Sequence, residues 1–168
     1  ARRSSFGHRS ADDWDRRAAQ RERDMNSDYT RAFLRRMDLK DARTALDIGC
    51  GVGNLAIPLA RRLRRVYALD FSPEMLRRLA ANARGAGVKN IGRFLLSWTD
   101  SWKDVPVSDL VVCSRAMSVK NLKAALEKMT RHARLRCYAS LHVGGSYLGP
   151  DVMEKLDREI VPRPDYIY

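Results

Sequence analysis

The sequence predicts an α/β fold, a mostly parallel sheet with helices on both faces. Three observations lead there. Short apolar runs alternate with amphipathic repeats of helical period along most of the chain, the pattern of strand and crossover helix. One of those runs ends in the alternating glycines Gly49, Gly51 and Gly53 and passes directly into a helical repeat. A chain of 168 residues that is 45% hydrophobic can also bury such a sheet in a single core.

Taken in order, residues 1–40 read as an N-terminal helical segment, with helices over 11–25 and 27–37 and an apolar stripe at Tyr29, Phe33 and Leu34. Residues 41–168 read as the sheet-bearing part of the same single domain. Residues 42–48 form the first strand, buried because Ala45, Leu46 and Ile48 carry it into the glycine turn. Leu55, Leu59 and Leu63 recur every four residues, so a helix follows, and Arg61, Arg62, Arg64 and Arg65 gather at its end, where cations suit the negative dipole. Residues 66–69 are the second strand. Ser72, Pro73 and Glu74 then supply an N-cap, a first-turn proline and a first-turn acid. The helix they open turns Met75, Leu76, Leu79, Ala80 and Ala83 inward, and Gly85 or Gly87 stops it. Strands three and four read over 91–96 and 110–113. Leu122, Ala125, Leu126 and Met129 make a further amphipathic helix before a fifth strand over 137–143, bounded by Gly144 and Gly145.

Composition excludes several classes. No apolar run approaches the roughly 18 to 20 residues that cross a bilayer, and the Arg-rich start of the chain lacks the apolar core of a secretory signal. The expected location is cytoplasmic, with no membrane partner. Cys50, Cys113 and Cys137 are an odd set without paired short spacing, which fits neither a disulfide framework nor a zinc site, so no metal is expected. The formal charge of +12, from 32 Lys and Arg against 20 Asp and Glu, could attract nucleic acid. It is spread without a basic arm or block, however, and reads as a solvated surface.

The segment that carries chemistry is Leu46-Asp47-Ile48-Gly49-Cys50-Gly51-Val52-Gly53-Asn54, followed by Ala68-Leu69-Asp70-Phe71-Ser72-Pro73-Glu74-Met75-Leu76. The first run resembles motif I of the class I, Rossmann-like S-adenosylmethionine-dependent methyltransferases, and the second resembles their second motif. With strand four at Ser108-Asp109-Leu110-Val111-Val112, the resemblance covers about residues 41–143. Physical reasoning reaches the same ligand class. Glycines let the turn's backbone approach a ligand lying across the strand ends, and Asp70 at the tip of the next strand can accept the hydroxyl hydrogens of a ribose diol. Asp47 decides between nucleotide-like ligands. Its carboxylate would repel the pyrophosphate of a dinucleotide but attract the ammonium and sulfonium of S-adenosylmethionine. The dinucleotide fingerprint also wants glycine where Asn54 stands.

The resemblance implies that Asp47 holds the amino end of the donor, that Gly49, Cys50 and Gly51 line its methionyl part through backbone groups, with Asn54 beside them, and that Asp70 grips the ribose. It further implies that Phe71 and Met75 flank the adenine and that Trp98, Thr99 and Asp100 approach its edge, although Asp100 could equally cap a loop. Ser114 after strand four is a further donor contact, and Arg115 could meet an anionic acceptor. Cys113 lacks the preceding proline of a pyrimidine-methylating nucleophile and reads as a buried strand cysteine. No general base stands out. His142 is the best placed of the histidines, and methyl transfer from an activated sulfonium does not strictly require one. The expected acceptor is a small molecule, with RNA the alternative on charge alone. A non-catalytic donor-binding module and a nicotinamide-dependent oxidoreductase are the remaining readings.

The family fold ends in an antiparallel hairpin after strand five. The residues beyond Val143 read instead as a helix over 151–160, followed by Pro162 and Pro164, which interrupt any strand. The expectation is therefore a sheet without its C-terminal hairpin and with strand five an exposed edge, inviting a homodimer through that edge.

Overall fold

The computed structural model describes residues 27–117 and 119–140. Its elements are α1 (Asp28–Arg36), β1 (Thr44–Ile48), α2 (Ala56–Ala60), β2 (Arg65–Asp70), α3 (Pro73–Gly85), β3 (Ile91–Leu95), β4 (Ser108–Ser114), α4 (Leu122–Arg131) and β5 (Ala133–Ser140). The strands form one sheet in the order β3-β2-β1-β4-β5, and every pairing is parallel. The chain steps outward from β1 through β2 to β3, then returns to β4 and continues to β5 on the other side. The order therefore reverses between β1 and β4, and at such a switch point the loops leaving the strand ends part to form a crevice.

Burial follows from the alternation of side chains along each strand. Ala45, Val66, Ala68, Leu110 and Val112 face one layer, where Leu55, Leu59 and Leu63 join Leu76 and Leu79 of α3 and Phe33 and Leu34 of α1. Leu46, Ile48, Leu69, Val111 and Cys113 face the other, covered by Ala125 and Met129 of α4 and by Trp102 and Val105 of the loop after β3. Helices thus cover both faces, as the alternating pattern requires.

Several boundaries differ from expectation for identifiable reasons. The helix after the glycine turn is regular only over Ala56–Ala60, because the Arg62 N–H bonds the Leu59 carbonyl three residues back and tightens its end; Leu55, Leu59 and Leu63 are nonetheless all buried. The N-cap at Ser72 forms as the sequence required, its hydroxyl accepting from the Met75 N–H at 3.0 Å. The fifth strand begins at Ala133 rather than 137. Among the described strands it lies at one end of the sheet, and Arg134 and Arg136 belong to it: Arg136 pairs with Asp38 at 2.9 Å and donates to the Lys40 carbonyl. On α4 the expected apolar stripe divides, with Ala125 and Met129 buried and Leu122 and Leu126 exposed. The expected helices over 11–25 and 151–160, the end of strand five with His142, Gly144 and Gly145, and the missing hairpin all lie outside the described residues.

Candidate functional site

The turn that leaves β1 stands at the switch point, where a sheet of this order places its ligand crevice. Gly49 and Gly51 both hold left-handed backbone, with φ of 65° and 52°, a region costing other residues about 1–2 kcal/mol. They are needed for different reasons. A Cβ on Gly49 would lie 2.3 Å from the Ala116 Cβ, in the segment that leaves β4. Gly49 therefore allows the two loops of the switch point to close on each other. A Cβ on Gly51 would meet only the Met75 sulfur, at 3.9 Å, and otherwise points into open space. Gly49→Ala is accordingly expected to destabilise the domain by about 2–4 kcal/mol, strain and overpacking together. Urea denaturation measures it, and a loss under about 1 kcal/mol would contradict this packing.

The turn's N–H groups are engaged within the protein. Those of Gly49 and Cys50 both donate to the Leu69 carbonyl, at 2.8 and 3.1 Å, and that of Gly51 donates to Asp70 Oδ2 at 2.8 Å. A pyrophosphate needs such donors, whereas an ammonium needs acceptors, which the turn's carbonyls are. Asp70, the last residue of β2, is itself oriented by this bond and by a second from the Ser72 N–H to Oδ1 at 3.0 Å.

Asp47, one residue before the end of β1, is 2% exposed, and its Oδ2 has no hydrogen-bond partner. Burial, reinforced by the negative charge of Asp70, pushes its carboxyl up to about 8, against a smaller lowering by the Ala56 N–H. The Oδ1 of Asn54, at the far end of the turn, is likewise buried without a partner. A buried unpaired acceptor costs about 1–3 kcal/mol. Asp47 and Asn54 thus each carry a buried acceptor without a partner among the described residues.

The remaining sequence-predicted residues divide. Phe71 follows Asp70 at 38% exposure, whereas Met75 in the first turn of α3 is buried with its sulfur toward Gly51. Trp98 donates its indole N–H to the Ala116 carbonyl at 2.9 Å and stacks on Trp102, which ties the loop after β3 to the segment that meets Gly49. Asp100 caps its own loop, accepting from the Ser97 N–H, and Thr99 bonds the Ser97 hydroxyl. Among the described residues neither Thr99 nor Asp100 bonds the glycine turn, and Asp100 caps its own loop, the alternative the sequence also allowed. Ser114, the last residue of β4, bonds the Tyr29 hydroxyl at 2.7 Å.

Tyr29 was legible only as part of an apolar stripe. Its hydroxyl bridges Ser114 and Ser140 at the ends of β4 and β5, and Arg115, at φ 56°, lays its guanidinium 4.3 Å over the Tyr29 ring. The start of α1 is thereby fastened at the same end of the sheet as the crevice. Cys113 is fully buried, and burial with the nearby Asp47 pushes its thiol up to about 12; burial raises Cys50 as well. Neither is a thiolate nucleophile. Among the described residues no group of three His, Cys, Asp or Glu could hold a metal ion, and no helix is long and apolar enough to cross a membrane.

Residues 45–135 match the family described as methyltransferase domain. An uncharacterized protein of Haemophilus influenzae is 35% identical over 158 residues, covering 92% of this chain and 59% of that protein. The 23S rRNA (uracil(1939)-C(5))-methyltransferase RlmD of Photobacterium angustum is 35% identical over 68 residues, 40% of this chain and 31% of its own. A SAM-dependent methyltransferase from Aquifex aeolicus has the same fold, with a TM-score of 0.65 at 18% identity over 89% of this chain and 87% of that one.

Proposed function

Because the chain belongs to the class I, Rossmann-like S-adenosylmethionine-dependent methyltransferases, we propose that the switch-point crevice binds S-adenosylmethionine and that the protein transfers its methyl group to a small molecule. The observation that carries this reading is the buried, unpartnered Asp47 oxygen beside the glycine turn. An ammonium is the ligand group that relieves both its missing hydrogen bond and its unfavourable charge.

In this reading Asp47 and the carbonyls of Gly49 and Gly51 hold the amino end, and Asn54 offers its amide oxygen. Asp70, oriented by the Gly51 and Ser72 amides, meets the ribose hydroxyls. Phe71 and Met75 flank the base, with Trp98 on the other side of the turn. The bound donor supplies a methyl already activated on a sulfonium. The protein's own contribution is then to bind, to align the acceptor with that methyl and to keep water out, and no general base is assigned. Acceptance of RNA at this site would call for a basic surface around the strand C-termini. Among the described residues Arg43, Arg64, Arg65 and Arg134 gather at the opposite end of the sheet, away from this site.

Calorimetry tests the ligand class. S-adenosylmethionine and S-adenosylhomocysteine are expected to bind and NAD not to, and Asp70→Ala is expected to weaken S-adenosylhomocysteine by at least about tenfold, the value of one or two lost hydrogen bonds to a charged group. Tighter binding of NAD, or an unchanged affinity in the variant, would overturn the assignment.

A further inference from the structure

Arginines that are separated along the sequence converge at the end of the sheet opposite the donor crevice. Arg43 precedes β1, Arg64 and Arg65 stand at the start of β2, and Arg134 is the second residue of β5. With Thr44, Tyr67 and Asp109 they line an open cleft of about 610 Å³. Neighbouring strands lie about 4.8 Å apart, so the row from Arg65 past Arg43 to Arg134 crosses roughly 14 Å of the sheet edge.

Like charges are gathered here with little to neutralise them. Asp109 is the one carboxylate in the lining. Its Oδ2 accepts from the Arg43 and Thr44 N–H groups and the Thr44 hydroxyl, at 2.8 to 2.9 Å. Its Oδ1 meets Arg134 at 3.6 Å, and that arginine is 57% exposed. Arg65 lies over the Tyr67 ring, 5.8 Å from its centroid. Within the described residues neither Arg43 nor Arg64 has a carboxylate partner, and both are exposed. Such a row favours an anion that offers several charges at strand-like spacing.

We propose that this cleft docks the phosphate backbone of a polynucleotide. Every cation in the lining is an arginine, whose planar fork matches phosphate oxygens in pairs, and Thr44 and Tyr67 add hydroxyls of the kind that position a sugar-phosphate chain. An acidic protein partner would need an apolar anchor pocket, and Tyr67 is the only apolar-bodied residue of the lining. The cleft is an attachment surface and not an acceptor subsite. The five-residue strand β1 separates it from the glycine turn, about 17 Å at strand rise. The inference does not rest on the methyl-transfer reading.

Fluorescence anisotropy with labelled oligo(U) and oligo(dT) tests it on the full chain. Three contacts at about 0.7 each in the salt slope predict a loss of affinity of about twentyfold between 50 and 200 mM salt. Arg43→Gln with Arg64→Gln, which leaves the backbone bonds to Asp109 in place, is expected to weaken oligo(U) by about tenfold and to lower the slope by about 1.4, with an unchanged thermal melt. The control removes the same charge from exposed positions elsewhere, Lys120→Gln with Lys123→Gln, and is expected to cost less than about twofold. Equal binding of the two oligomers supports a contact to phosphate alone, and a preference for oligo(U) adds the 2′-hydroxyl. Equal losses in the control and cleft variants, tighter binding of polyglutamate than of either oligomer, or no binding at 50 mM salt overturns the proposal.

Discussion

Gly51→Val is expected to abolish S-adenosylmethionine binding, by a hundredfold or more, while the domain remains folded. Gly49 and Gly51 look alike in the sequence, yet only Gly49 is enclosed by the protein's own atoms. At Gly51 the substitution costs about 1–2 kcal/mol of backbone strain, which an ordinary stability of about 5–15 kcal/mol tolerates. The two methyls of valine would project into the space that the ligand is proposed to fill. Circular dichroism and a thermal melt check the fold, and calorimetry with S-adenosylhomocysteine reads the binding. Gly51→Ala should fall between the two, at about a tenfold loss. Normal donor affinity in the valine variant would show that the open space beside Gly51 is not the ligand's.

Asp47→Asn should move stability and affinity in opposite directions. The folded carboxyl titrates at about 8, chiefly because it is buried and then because Asp70 is near, against an ordinary value of 3.8. A folded value above the unfolded one means that the protonated carboxyl stabilises the fold fully below pH 3.8, and that this contribution is lost as pH rises toward 8. The ligand-free protein should therefore lose stability across that window, at most about 1.4 kcal/mol per pH unit. Asparagine, of the same shape and uncharged, should flatten the slope and leave the variant the more stable protein at pH 8. Donor affinity should fall by about ten- to a hundredfold, because the ammonium loses its counter-charge. In the unsubstituted protein donor binding should release close to one proton at pH 7, seen as buffer-dependent heats, since the ammonium favours the ionised carboxylate. Denaturation at pH 5 and 8 with calorimetry in two buffers measures all three. A variant that is less stable at pH 8, or that binds the donor unchanged, would remove Asp47 from the proposed site.

The geometry of the turn that leaves β1 was readable because its residues are close in sequence. The turn from Asp47 to Asn54 is one continuous segment, and Asp70 lies at the tip of the next strand, so the hydrogen bond from Gly51 to Asp70 links neighbours in any parallel pairing of β1 and β2. The loop after β3 was less readable. Thr99 and Asp100 bond within their own exposed loop, because short polar side chains bond their neighbours as readily as a ligand. The clasp of Tyr29 on Ser114 and Ser140 joins residues 85 and 111 positions apart, and no local pattern marks a tyrosine that will do so.

Local patterns settled the fold class. Alternating strand and helix periods, the Ser72 cap and the glycine turn act over a few residues, and the hydrophobic effect rewards only the arrangement that buries those periodic faces on one sheet. Where elements stop, and which residues meet across the sheet, depended on the tertiary structure. The helix after the glycine turn closes at Ala60 although Leu63 stays buried, and Arg134 and Arg136 join β5, where Arg136 reaches Asp38. The charge distribution changed most. Arginines that lie scattered along the chain form one row, because parallel strands bring their starting residues to the same edge whatever length of chain separates them.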